Sequence, residues 1–154
     1  MPRPPLPPFT EETAALKARL AENAWNTRDP LLVAQAYSPD SAWRHRHLSL
    51  KGRDAIIALL TEKWTREQDY RLIKEVWGFR ANRMAVRFVY ESRTPDGAWV
   101  RSHGVELWEF DAEGLMRRRV ASVSDAPITE AARLFRWPLG PRPDDHPGLS
   151  DLGL

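Results

Sequence analysis

Apolar positions in the first third of the chain recur with a helical period. Leu16, Leu20 and Ala24 stand four apart with Trp25 beside them, forming one stripe. Thr10 ahead of Glu11 and Glu12 supplies a capping hydroxyl and acids at the positive end of a helix dipole. Asn26-Thr27-Arg28 breaks that helix, and Asp29-Pro30 starts a second, short one ending near Tyr37. Ser41 to His47 alternates as a strand, with Trp43, His45 and His47 on one side and Arg44 and Arg46 on the other. Gly52 opens a third helix, where Ile56, Leu60 and Trp64 share a face with Ile57.

Beyond Trp64 the period falls to two residues. The alternation predicts strands over about 70–80, 83–93, 99–110 and 115–125. They are joined by Ala81-Asn82, Thr94-Pro95-Asp96-Gly97 and Asp111-Ala112-Glu113-Gly114, whose Asn and Gly tolerate the positive φ of tight turns. Three short connections in succession predict an antiparallel meander. The chain divides into an extended Pro-rich lead (1–9), one α+β domain (10–136) and a Pro/Gly-rich tail (137–154). Leu149, Leu152 and Leu154 favour docking of that tail on the domain or a partner.

If each hairpin closes symmetrically, one sheet face collects Ile73, Glu75, Trp77, Phe79, Met84, Val86, Phe88 and Tyr90. It continues through Arg101, His103, Val105, Leu107 and Glu109 to Met116, Arg118, Val120, Ser122 and Ser124. This is the more apolar face and the one expected to receive the helices, with Trp25, Trp64 and Trp77 in the core. The other face carries Arg87, Glu106, Trp108, Arg119 and Asp125 among small residues, which predicts a salt-bridge ladder or a homodimer surface. A one-residue slip would exchange the two faces.

Composition adds exclusions. Of 154 residues, 42 % are hydrophobic and 29 % charged, a globular balance. Seven Trp can fill a substantial core. A formal net charge of +2 does not suggest nucleic acid, and Arg117-Arg118-Arg119 alternates across a sheet and so cannot present three charges together. With no Cys, thiol chemistry and Cys-based zinc sites are absent. No stretch approaches the roughly 20 apolar residues of a spanning helix, and nothing near Met1 resembles a signal peptide, so a cytoplasmic location with no membrane partner is the expectation.

Glu75, Tyr90, His103 and Ser122 fall toward one end of the apolar face. Buried polar groups need partners, so such a cluster points to a ligand pocket. His103 and Glu75 are the candidate catalytic base and orienting acid, since an imidazole titrates near neutrality. Tyr90 and Ser122 are candidate ligand contacts, with Trp43, Arg44 and His45 at the mouth. The alternative is a set of satisfied core groups. The histidines lack metal-ligand spacing, so neither a metal nor a cofactor is expected. Asp144-Asp145-His146, between prolines, reads as a turn.

The order of elements resembles the nuclear transport factor 2-like cone fold, a superfamily that includes the SnoaL-like cyclases. Ala24-Trp25-Asn26-Thr27-Arg28-Asp29-Pro30, Trp43-Arg44-His45-Arg46, Trp108-Glu109-Phe110-Asp111 and Arg142-Pro143-Asp144-Asp145-His146-Pro147-Gly148-Leu149 are similar to one bacterial group within it that has no assigned reaction. Asn is commoner there at the position of His45, and Tyr at that of His103, which tells against a histidine base. Enzymes of the superfamily often place a working acid on the last strand, which makes Asp125 the runner-up. The reading above puts it on the outer face, and only a bulge would bring it inside. The resemblance implies acid–base chemistry such as isomerisation, cyclisation or hydration of a small apolar molecule held in the cone. A non-catalytic ligand-binding or protein-interaction module is the alternative.

Overall fold

A computed structural model describes residues 1–154. Thr10 caps the first helix, α1 (Glu11–Asn26), reciprocally: its hydroxyl accepts the Thr13 amide at 3.1 Å, and the Thr13 hydroxyl accepts the Thr10 amide at 2.8 Å. The Asp29 carboxylate caps α2 (Pro30–Ala34) through the amides of Leu31 and Leu32. The chain turns into β1 (Tyr37–His45) earlier than its alternation suggests, and β2 (Leu48–Lys51) folds back on it. Gly52, at φ 90°, opens α3 (Arg53–Arg66). The meander follows as β3 (Gln68–Arg80), β4 (Arg83–Arg93), β5 (Trp99–Phe110) and β6 (Met116–Ile128).

Strands lie in the order β2-β1-β6-β5-β4-β3, and β1 pairs with β6 in parallel while every other pair is antiparallel. The curved sheet wraps round the helices. α1 lies along the free edge of β3 and satisfies its backbone. Asn26 donates to the Leu72 carbonyl at 3.0 Å and accepts the Leu72 amide at 2.8 Å, and Glu22 accepts the Lys74 amide at 2.8 Å. These side chains take the place of a neighbouring strand and remove an exposed edge. The main core between helices and sheet contains Trp25, Trp43, Phe88, Tyr90 and Trp108. A smaller core lies on the opposite, outer face, where Phe135 and, from the tail, Trp137 and Leu149 cover Ile73 and Val89. No helix is long and apolar enough to cross a membrane.

The faces of the sheet differ from the symmetric expectation, for two local reasons. The Ala81-Asn82 turn pairs Phe79 with Met84 as anticipated, but a bulge at Trp77 then shifts the register so that Glu75 faces Arg87 and Val76 faces Val86. The next loop closes on five residues, not four: Arg93 pairs with Trp99, and the Thr94 amide donates to the Ala98 carbonyl at 2.8 Å. That extra residue exchanges the faces of β5 and, through the β5–β6 pairing, of β6. Lys74, Tyr90, Ser102, Gly104, Glu106, Trp108, Arg119 and Asp125 therefore line the concave side. Glu75, Arg101, His103, Val105, Leu107 and Ser122 lie on the convex side.

Candidate functional site

The cone interior holds a buried charged cluster. Glu106, on β5, is 1 % exposed; its Oε1 accepts Arg119 Nε at 2.7 Å and Trp108 Nε1 at 3.0 Å, while Oε2 accepts Lys74 Nζ. The Lys74 ammonium lies 4.8 Å from the Phe88 ring centre and 5.3 Å from that of Trp25. The Arg119 guanidinium lies 4.5 Å from the Trp43 ring centre and 5.0 Å from that of Trp25. Burial pushes the Glu106 pKa up, but the charges of Lys74 and Arg119 outweigh it and hold the carboxyl down at about 2. Burial depresses the Lys74 pKa against the opposing pull of Glu106. The indole N–H groups of Trp43 and Trp64 are buried near this cluster with no acceptor in the protein.

Arg119 links the cluster to the mouth of the cone, with its Nη1 3.1 Å from His45 Nδ1. His45, at the end of β1, lines a cleft of about 630 Å³ together with Arg46, Glu67, Ser92, Ser102 and Asp125. Asp125 reaches it from β6. Its Oδ1 accepts Arg46 Nη2 at 2.9 Å and Ser102 Oγ at 2.6 Å, whereas Oδ2 has no protein partner. Burial raises the Asp125 pKa, and the hydrogen bonds from Arg46 and Ser102 more than reverse that, leaving it below its ordinary value. Lys63 of α3 lies deeper, bonded to Glu67 at 2.8 Å and 4.1 Å from the Tyr90 ring centre.

A second depression, of about 520 Å³, lies where Phe79, Arg83, Leu107 and Glu109 meet. Its carboxylate is spent: Glu109 Oε1 accepts Arg83 at 2.9 Å and Oε2 accepts Arg117 at 2.7 Å. The mouth cleft, with a free carboxylate oxygen and an imidazole, is the better candidate for chemistry. No group of three His, Cys, Asp or Glu side chains is placed to hold a metal ion.

The predicted site residues separate. Glu75 is on the convex face, bound to Arg87 at 3.1 Å and to the Ser150 hydroxyl of the tail at 2.9 Å. His103 and Ser122 are exposed on that same face, so the proposed His103–Glu75 base cannot act in the cone. Arg44 is exposed on the outer side of β1. Trp43 is buried beneath Arg119, a core residue and not a ligand platform. Tyr90 faces inward and is buried, receiving a long contact from Arg46 at 3.5 Å. His45 and Asp125 are brought together at the cleft, and Asp125 arrives there because the whole register of β6 is shifted. Trp77 and Trp108 exchange the places anticipated for them: Trp77 is 77 % exposed and Trp108 is buried. Glu106 and Arg119 were hidden in an apparent solvated ladder, and Lys74 carried no signal of its own. The small residues Gly104 and Ala121 beside Trp108 were the signal that their face is crowded.

A family model described as "Protein of unknown function (DUF1348)" matches residues 7–136. The chain belongs to the DUF1348 family. No curated protein matches it. This DUF1348 chain shares its fold with an NTF2-like protein of unknown function from Burkholderia pseudomallei, at 18 % identity and a TM-score of 0.64, over 75 % of this chain and 92 % of that one. It also resembles a hexachlorocyclohexane dehydrochlorinase (LinA) type 2, at 11 % identity and a TM-score of 0.63, covering 77 % and 90 % of the two chains. A putative SnoaL-like polyketide cyclase from Shewanella denitrificans matches at 17 % identity and a TM-score of 0.59, over 74 % and 90 %. The shared fold is the nuclear transport factor 2-like α+β cone, with helices packed in a curved six-stranded sheet.

Proposed function

We propose that this protein is an acid–base catalyst of the isomerase or cyclase type, with Asp125 as its base, acting on a small molecule at the mouth of the cone. The observation that carries the reading is the asymmetry of Asp125: Oδ1 is pinned by Arg46 and Ser102 while Oδ2 is free in the cleft. A pinned carboxylate presents its second oxygen in a defined direction, which is what proton abstraction from a bound substrate needs. The cleft is lined mainly by polar groups, so the fitting substrate carries carbonyl or hydroxyl oxygens and is less apolar than the sequence alone suggested. Cyclase and dehydrochlorinase relatives of the fold support chemistry of this general kind.

A second reading, a binding module, draws on the lowered basicity of Asp125. The ring-opening of 5-nitrobenzisoxazole separates the two, because its single step moves a proton from carbon to a base as the N–O bond breaks. The wild-type protein is expected to exceed acetate at equal concentration by about 10²-fold, in the range of positioned general bases. Asp125→Asn, checked for folding by circular dichroism, should remove that excess. A wild-type rate no better than acetate, or an unaffected Asp125→Asn variant, overturns the catalytic reading.

A further inference from the structure

His45 has one ring nitrogen committed. A guanidinium can only donate, so at 3.1 Å from Arg119 Nη1 the His45 Nδ1 must accept. A neutral imidazole carries one proton, which then belongs to Nε2, a nitrogen with no protein partner in a ring that lines the cleft. Neutrality follows from the surroundings. Burial first, then the positive charges of Arg119 on β6, Lys63 on α3 and neighbouring Arg46, push the ring's pKa down to about 3, against the weaker pull of Glu106 on β5. Arg119 is itself immobilised, by Glu106 at 2.7 Å and by packing against Trp25 and Trp43. Behind the ring, Lys74 and Arg119 share the single carboxylate of Glu106, because Glu22 is occupied by Arg19 and Arg142. One surplus positive charge therefore stands behind an N–H donor.

We propose that His45 is the oxyanion donor of the cleft, a neutral imidazole protonated at Nε2, and that Arg119, held by Glu106, is the positioning residue that imposes this tautomer. The inference rests on Asp125 as the base. Asp125 Oδ2 takes a proton from a substrate carbon, the C–H electron pair moves onto the conjugated oxygen, and the His45 N–H bonds that oxygen as its charge develops. The proton on Asp125 then returns to the substrate at a new position, so the cycle balances with no other reactant. Pre-arranged donors aimed at developing charge contribute most to such steps.

Long-range ¹H–¹⁵N correlation spectra of the ¹⁵N-histidine-labelled protein test the tautomer directly, with His45 assigned by substitution. The expected spectrum shows Nδ1 unprotonated and Nε2 protonated, unchanged between pH 8 and pH 5. A proton on Nδ1, or a ring that titrates near pH 6.5, overturns the assignment whatever Asp125 does. In the 5-nitrobenzisoxazole reaction, His45→Phe should remove most of the about 10²-fold excess over acetate while leaving the pH profile in place, because His45 does not titrate there. Loss of one limb of that profile would instead make His45 a proton carrier and overturn the proposal. Arg119→Gln should mix the tautomers and let the ring take up a proton at higher pH; an unaltered ring removes Arg119 from its role. Should that variant fail to fold, the wild-type spectrum still decides. An inert Asp125→Asn variant with the His45 tautomer intact supports both assignments. A fully active one defeats the base alone, and a wrong tautomer defeats only His45.

Discussion

Glu106 accepts from Lys74, Arg119 and Trp108 at once, and nothing else nearby is free to neutralise the two cations. Glu106→Gln keeps the shape and removes the charge. Stranding buried cations costs about 3–5 kcal/mol, so urea denaturation at pH 7 should show a loss of that size. The pH dependence follows from a folded-state pKa held at about 2, below the ordinary carboxyl value of 4.5. The stabilisation is present in full above 4.5 and is lost as pH falls through about 2. The gap between wild type and Glu106→Gln should therefore narrow as the medium is acidified; a constant gap would show that charge is not what Glu106 contributes. At this scale the sequence was least informative. Ile73, Trp77, Val105 and Leu107 made the wrong face look like the interior, and no composition count distinguishes a buried ion cluster from a solvated one.

Most elements were legible, because their ends are written in local chemistry: the Thr10 cap, Asp29-Pro30, Gly52 and the turn residues Asn82 and Gly97 all stand where elements start or reverse, whereas β2 and the start of β1 at Tyr37 carry no such mark. Register was not, because a bulge and a one-residue longer loop leave the alternation of each strand intact while changing which side it presents. The usual check, that one face is apolar and the other polar, failed here because the tail buries Ile73 and Val89 on the outer side too. Gly104 marks the true interior. A Cβ there would lie 2.2 Å from Cζ of Phe88, whose ring covers the strand and carries Lys74 above it. Gly104→Val should destabilise by about 1–3 kcal/mol through overpacking, seen as a lower denaturant midpoint. An unchanged midpoint would mean the Phe88 ring moves aside without cost.

Seen whole, the outer face of the sheet has two halves. Phe135 and the tail residues Trp137 and Leu149 cover one; the other leaves Trp77, Val105 and Leu107 at 77 %, 59 % and 58 % exposure. Exposed aromatic and aliphatic side chains rimmed by Arg83, Arg117 and Glu109 have the composition of an interface core and rim. We expect a second copy of the chain to cover it, and sedimentation at micromolar concentration should give twice the chain mass, reverting to one on Trp77→Glu. A wild-type monomer would refute the pairing. The parallel contact of β1 with β6 has a different consequence. Every pairing within the meander is local, but Arg46 and Asp125 meet across 79 residues of chain, and His45 meets Arg119 across 74. Closing a long loop is an entropic cost met before its contacts repay it, so such contacts form slowly. The hairpins can zip while the cone is still open, bringing Ser102 to Asp125 and Glu106 to Arg119, and Arg46 and His45 join them only at its closure. A half-folded chain, on this order of events, has most of its sheet but only part of the cleft: Asp125 already holds Ser102, and lacks Arg46 and His45.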